Sequence, residues 1–306
     1  MKTLLTFIIL LTTFIILLTT FSIVSANSIL PLPVKVDSDN AYSMLKDIVN
    51  IGPRPSGSIN AARTVNYIVN KAKVWGYDAT IDIWEAPTPI GIIQFKNIIF
   101  SLPGKSKKFI ILASHYDTKL LSDSPNFVGA NDGGSSTALL LEIMHTLNAS
   151  QNRFNYSIHF VFFDGEECFK QYTKNDGLYG SKRLAKQLTQ LNSLQNCKAV
   201  IILDMIGDEN LCLTIPLNSD KKLANAVFNI AKKTGNQSKV KWFNGHILDD
   251  HVPFQNIGIP SIDLIDLSYG PNNSYWHTSN DTIDKISKQS LQFTGNLTIN
   301  LLKQIN

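Results

Sequence analysis

Apolar positions along the chain recur with two different periods. Met44, Leu45 and Ile48, and then Ala62, Val65, Ile68, Val69 and Ala72, fall at helical spacing and predict helices over 39–50 and 58–75. Gly52-Pro53-Arg54-Pro55 between them reads as a turn. Further on, short apolar runs at 97–102, 109–113, 157–163, 199–203 and 261–265 predict strands. Helical patterns at 135–147, 180–190, 220–234 and 287–304 separate or follow them. Buried β-branched runs alternating with helices predict an α/β fold: a single domain with a mixed, mostly parallel central sheet flanked by helices. No linker rich in Pro, Gly or Ser divides residues 39–306, so these form one expected catalytic domain, preceded by an extended lead-in at 27–38.

The first 26 residues follow another pattern. One apolar stretch, residues 4–24, stands behind a single Lys2 and ends in Val24-Ser25-Ala26, small enough for signal-peptidase cleavage. The stretch is longer than a usual signal core, so an uncleaved N-terminal membrane anchor is the alternative. Either way the rest of the chain is expected to be exported, secreted or anchored on the extracytoplasmic side, and no other stretch spans a membrane.

Composition narrows the classes. The 306 residues are 44% hydrophobic and 17% charged, with a net charge of +4, which excludes intrinsic disorder. There is no basic block to neutralise phosphates, so nucleic acid is not an expected partner. Three cysteines are too few for a disulfide scaffold, although Cys197 and Cys212 flank one strand and could pair. Cys168 has no motif partner and reads as a small buried hydrophobe rather than a nucleophile.

Polar chemistry collects where apolar runs end. The run 109–113 leads into Ser114-His115-Tyr116-Asp117, the run 157–163 into Asp164-Gly165-Glu166-Glu167, and the run 199–203 into Asp204-Met205-Ile206-Gly207-Asp208. In open α/β sheets the carboxyl ends of the strands form the ligand crevice. Carboxylates gathered there repel one another unless a cation compensates, and imidazole with carboxylate and no thiolate suits zinc. Asp132, Glu167 and His277 meet the count of three protein ligands, and His115 with Asp204 would complete a second metal position. Glu166 is then the candidate general acid/base.

The motifs HYD at 115–117, GANDGG at 129–134, FFDGEE at 162–167, LDMIGD at 203–208, DDHVPF at 249–254 and WHTSNDT at 276–282 resemble, in this order, the zinc-dependent aminopeptidase superfamily, which includes the animal-type glutaminyl-peptide cyclotransferases. The resemblance implies zinc on Asp132, Glu167 and His277, with Glu166 as acid/base. The cyclase branch is the nearer one: Lys119, the long spacing from Cys168 to Gly180, Asp249 before Asp250-His251, and Trp276 before His277 all look cyclase-like. Asp204 and Asp249 would relay protons, and Trp276, Tyr172 and Leu248 would line the substrate. Tyr172 stands where animal cyclases have a tryptophan and Leu248 where they have a glutamine, while Asn131–Ser136 reads like the peptidases. The expected activity is conversion of N-terminal Gln of peptides or proteins to pyroglutamate, with one zinc. A metallo-aminopeptidase with two zincs is the alternative. A non-catalytic binding domain is a third reading, but its sign, lost ligands, is missing.

Overall fold

The computed structural model describes residues 34–150 and 154–306; the export segment read at 1–26 and most of the lead-in lie outside the described residues. Among the described residues no helix is long and apolar enough to cross a membrane. Lys35–Asn306 packs as one unit.

Eight strands form one sheet in the order β1-β2-β4-β3-β5-β8-β6-β7. They are β1 (Thr80–Thr88), β2 (Gly91–Leu102), β3 (Phe109–His115), β4 (Ser157–Phe163), β5 (Cys197–Asp204), β6 (Leu213–Pro216), β7 (Val240–Phe243) and β8 (Ser261–Ile265). Helices are α1 (Ser38–Ile51), α2 (Ile59–Val74), α3 (Ser136–Ala149), α4 (Tyr179–Gln190), α5 (Lys221–Lys233), the short α6 (Val252–Gln255) and α7 (Lys288–Ile305). The expected α/β class and mixed sheet are therefore both present.

Parallel pairing is confined to β4-β3-β5-β8 and to β6-β7, and the remaining neighbours are antiparallel. The parallel centre has both faces covered, which is why its strands read as continuous apolar runs. On one face Ile111, Ala113, Val161, Phe163, Val200 and Ile202 pack on Leu184 and Leu188 of α4 and Phe254 of α6. α1, α3 and α7 pack on one another, and α3 buries ten of its fourteen residues.

The five expected strands and six expected helices are all found, with small shifts. The buried face of α2 runs through Ala61, Val65, Ile68 and Ala72, so Ala62 and Val69 stand beside it rather than on it. β1 was not foreseen because none of its residues is buried, and β6 and β7 are only four residues long. All three cysteines are free. Cys197 begins β5, whereas Cys212 follows that strand's far end and donates its backbone N–H to Asp266 beyond β8. An eight-residue strand holds such positions about 20 Å apart, which rules out the Cys197–Cys212 disulfide.

Candidate active site

Parallel strands put their carboxyl ends on one edge, and β4, β3, β5 and β8 are consecutive neighbours. Glu166-Glu167, His115, Asp204 and the loop after β8 therefore converge without any long-range coincidence. They border a cavity of about 300 Å³ lined by Asp132, Glu166, Glu167, Tyr172, Asp204, Asp249, Trp276 and His277, with apolar Met205, Ile247, Leu248, Ile265 and Leu267 completing the wall. Every site residue read from the sequence lines this cavity except His115, which is buried and bonds to Asp204.

Asp132 sits in a tight turn at Ala130–Ser135 that no regular helix could make. Gly133 has φ +73°, and a Cβ there would meet the Asp117 carbonyl oxygen at 2.7 Å and the His115 ring at 2.9 Å. Only glycine allows that approach. The backbone N–H groups of Asn131 and Asp132 donate to the Asp281 carboxylate at 2.7 and 3.1 Å, and Tyr269 Oη donates to the same group at 2.7 Å. Asp117 plays the corresponding part for the paired glutamates, accepting from the backbone N–H of Glu166 and of Glu167 at 3.2 Å each. The buried Arg54 guanidinium ties this shell together through the carbonyls of Tyr116, Val128 and Gly129.

Two carboxylates and an imidazole meet at the first trio. His277 Nε2 lies 3.0 Å from Glu167 Oε1 and 3.2 Å from Asp132 Oδ2. Burial alone would push the His277 ring toward neutrality, but Glu167 and Asp132 outweigh it and hold the ring up at about 10. Burial likewise disfavours an ionised Asp132, yet hydrogen bonds from His115 and His277 hold it well below the usual carboxylate range. Asp132 Oδ2 is buried and, apart from the His277 ring 3.2 Å away, has no partner. One nitrogen and two oxygens within 4.8 Å of one another, with that otherwise unpartnered oxygen aimed among them, fit a divalent cation such as zinc. His277 itself is held at φ +54°, a left-handed conformation that costs on the order of 1 kcal/mol and is concentrated at functional sites.

A second trio shares Asp132. His115 Nε2 is 3.1 Å from Asp204 Oδ1 and 3.3 Å from Asp132 Oδ1. Its three ligand atoms also lie within 4.8 Å of one another, as the second metal position would require.

The other acid groups lining the cavity behave differently. Burial, with Glu167 and Asp249 nearby, raises the Glu166 carboxyl well above its ordinary range. Burial with Asp204 and Asp250 does the same to Asp249, and burial raises Asp204. Each thus binds a proton more readily than an ordinary carboxylate, as a proton-transfer group should. Tyr172 Oη donates to Glu166 and Glu167 over 3.0–3.1 Å, so the tyrosine at the tryptophan position grips both glutamates. Lys119 Nζ donates to Glu167 Oε2 at 3.2 Å and lies 2.9 Å from Cys168 Sγ. Burial pushes the Cys168 thiol up, as expected for a small buried residue. The Trp276 ring stacks on His277 at 4.0 Å, and Trp276 and Leu248 remain partly exposed at the cavity mouth.

Sequence reading gave no role to Asp117, Asp281 or Arg54. Asp117 and Asp281 stood inside quoted motifs, two residues after His115 and four after His277, and that fixed offset was the available signal. Arg54 lay in a Pro-rich turn that gives no hint of burial.

Comparison with known proteins agrees with this arrangement. Residues 97–302 match the model of peptidase family M28. A glutaminyl-peptide cyclotransferase-like protein of Bos taurus is 30% identical over 68% of this chain and 60% of its own length. The glutaminyl-peptide cyclotransferase of Bos taurus is 30% identical over 69% of this chain and 66% of its own. The chain thus spans slightly under two thirds of these curated relatives. Among solved structures, an Acidobacteriales bacterium glutaminyl cyclase is 37% identical with a TM-score of 0.85, covering 92% of this chain and 97% of its own. A leucine aminopeptidase precursor from Bacteroides thetaiotaomicron is 27% identical with a TM-score of 0.79, covering 89% and 99%. With its family match spanning both metal-type trios, the chain belongs to peptidase family M28.

Proposed function

We propose that this protein is a zinc-dependent glutaminyl-peptide cyclotransferase acting on N-terminal Gln of peptides or proteins, with export directed by residues 1–26. Asp132, Glu167 and His277 would hold the zinc. When bound there, zinc supplies Lewis acidity to the γ-amide carbonyl.

The remaining work falls to the chain's own groups. Met205, Ile247, Leu248, Ile265, Leu267 and Trp276 give the cavity an apolar wall against which the aliphatic part of a glutamine side chain packs. Holding α-amine and γ-amide together makes the attack intramolecular, so the nucleophile needs little activation. Glu166 takes the proton released by the amine and returns it to the departing nitrogen, which leaves as ammonia. Asp204 and Asp249 share that proton with it, and the Tyr172 hydroxyl fixes the Glu166 carboxylate.

Asp249 carries this reading. It is a third buried acid on the cavity wall and belongs to neither trio containing Asp132. A hydrolase with two metals uses Asp204 as a ligand and Glu166 as the base, and has no part for another buried acid. The similarity to solved glutaminyl cyclases supports the same choice. One observation favours the aminopeptidase reading, namely the His115-Asp132-Asp204 trio, which fits a second cation.

The test is an assay on a peptide beginning with Gln. Cyclisation lowers its mass by one ammonia and frees no amino acid. Release of residues from a leucyl peptide, with no cyclisation, overturns the proposal.

A further inference from the structure

His251 is fully buried behind Asp249, and its surroundings determine which nitrogen bears the proton. Asn218, between β6 and α5, accepts from the Ile247 backbone N–H at 3.2 Å through Oδ1 and donates to the Ile247 carbonyl at 3.0 Å through Nδ2. These two backbone bonds allow one amide orientation only. Nδ2 is therefore the atom 2.9 Å from His251 Nε2, which must accept. Burial holds His251 down at about 4, so the ring is neutral, and a neutral imidazole with a bare Nε2 carries its proton on Nδ1.

That Nδ1–H has no hydrogen-bond partner. It lies 3.7 Å from Asp263 Oδ2, and one ring nitrogen with one oxygen each of Asp249 and Asp263 fall within 4.8 Å of one another. Both Asp263 oxygens are likewise without partners, and the residue has no exposed surface. The spacing alone would suit a cation, as in the first trio. A cation would need the Nδ1 lone pair, and the proton fixed by Asn218 occupies it.

We propose that Asn218 and His251 are positioning residues for Asp249: Asn218 fixes the Nδ1–H tautomer, so that an unpartnered N–H faces the Asp249 and Asp263 carboxyls within 4.8 Å and donates to Asp249 when the relay ionises it. This rests on the reading of Asp249 as a proton relay. Ile247 and Asp249 both line the cavity, so one asparagine braces the substrate wall and the relay together.

Nitrogen-15 NMR of histidine-labelled, zinc-loaded protein tests it, with only six histidines to assign. The expected result is a pyrrole-type Nδ1 and a pyridine-type Nε2 for His251. A pyridine-type Nδ1, an imidazolium or a metal-shifted Nδ1 overturns the proposal. Variants add a kinetic readout. His251→Asn can place an amide N–H where Nδ1 stood, whereas His251→Gln reaches toward Nε2. His251→Gln should lower kcat about 10–100-fold with KM unchanged, as loss of an outer partner does, and His251→Asn should restore most of it. Equal losses in both variants contradict it. The tautomer is read without substrate, so a failure of the tautomer assignment and a failure of the preceding proposal are told apart by different measurements.

Discussion

Two trios in this protein have the same ingredients and opposite chemistry. Asp132, Glu167 and His277 form one, and Asp249, His251 and Asp263 the other; each has two carboxyls and an imidazole within 4.8 Å. In the first, His277 is held up at about 10 and Asp132 is held down. In the second, burial drives Asp249 and Asp263 well up and His251 down to about 4. Contact decides the difference. His277 reaches both carboxylates at 3.0–3.2 Å from a partly open cavity, whereas His251 stands 3.7 Å from Asp263 in a closed interior. Ion pairing outweighs desolvation only when the charged groups touch. One trio gathers ionised groups in contact, where a bound cation would displace the ring proton; in the other, burial favours the uncharged forms.

Glu166 lies between the two and is raised by a neighbour from each, Glu167 and Asp249. Glu166→Gln should therefore give the largest effect, a loss of kcat on the order of a thousandfold with zinc retained, checked by steady-state kinetics and metal analysis. Loss of metal instead would mean that the roles of the adjacent glutamates are exchanged. Parallel amide substitutions break the comparison directly. Asp132→Asn should weaken zinc binding by more than about 100-fold, while Asp263→Asn, replacing a carboxyl whose neutral form burial favours, should leave zinc content unchanged. Equilibrium dialysis against a competing chelator distinguishes them.

Acidity supplies a smaller effect. Burial, with Asp117 nearby, pushes Asp164 up to about 7, and burial pushes Asp250 up to about 7. A carboxyl raised in the folded state contributes stability at low pH that is lost as pH rises from its unfolded value near 4 through 7. His251, depressed to about 4, acts in the opposite sense, costing stability as pH falls below about 6.5. Asp281, pushed up to about 7 by burial beside Asp132, and His277, held up at about 10, act in the same sense as Asp164 and Asp250, so together they outweigh His251 and leave the metal-free protein less stable at pH 8 than at pH 5.5 by on the order of a few kcal/mol, with a lower Tm. Zinc should flatten this slope, because its charge favours ionised carboxylates. Thermal melts with and without chelator measure both. The smallest effect belongs to the cavity mouth. Leu248→Gln adds one hydrogen-bonding group facing the substrate and should lower KM for Gln-peptides about threefold with kcat unchanged, roughly the value of one partly exposed hydrogen bond.

The contrast between the trios also marks what the sequence could reveal. The cation-type trio was legible, since each member ends an apolar strand or sits in a motif, and parallel pairing of β4, β3 and β5 brings strand ends together. His115 and Asp204 were legible for the same reason. Of the proton-type trio only Asp249 was legible, through its place before Asp250-His251. Asp263 lies inside the apolar run of β8, where one acid reads as an interruption, and Asn218 sits in an unremarked loop. Their meaning depends on which nitrogen of His251 faces which neighbour, and no spacing rule encodes that. β1 was missed for a related reason: it is an edge strand without a buried residue, so no hydrophobic period records it.

Diffraction from zinc-loaded crystals, recorded at the zinc absorption edge, tests the division between the trios most directly. A single anomalous peak among Asp132, Glu167 and His277, with none among Asp249, His251 and Asp263, is the expected result; a peak in the second trio would contradict it.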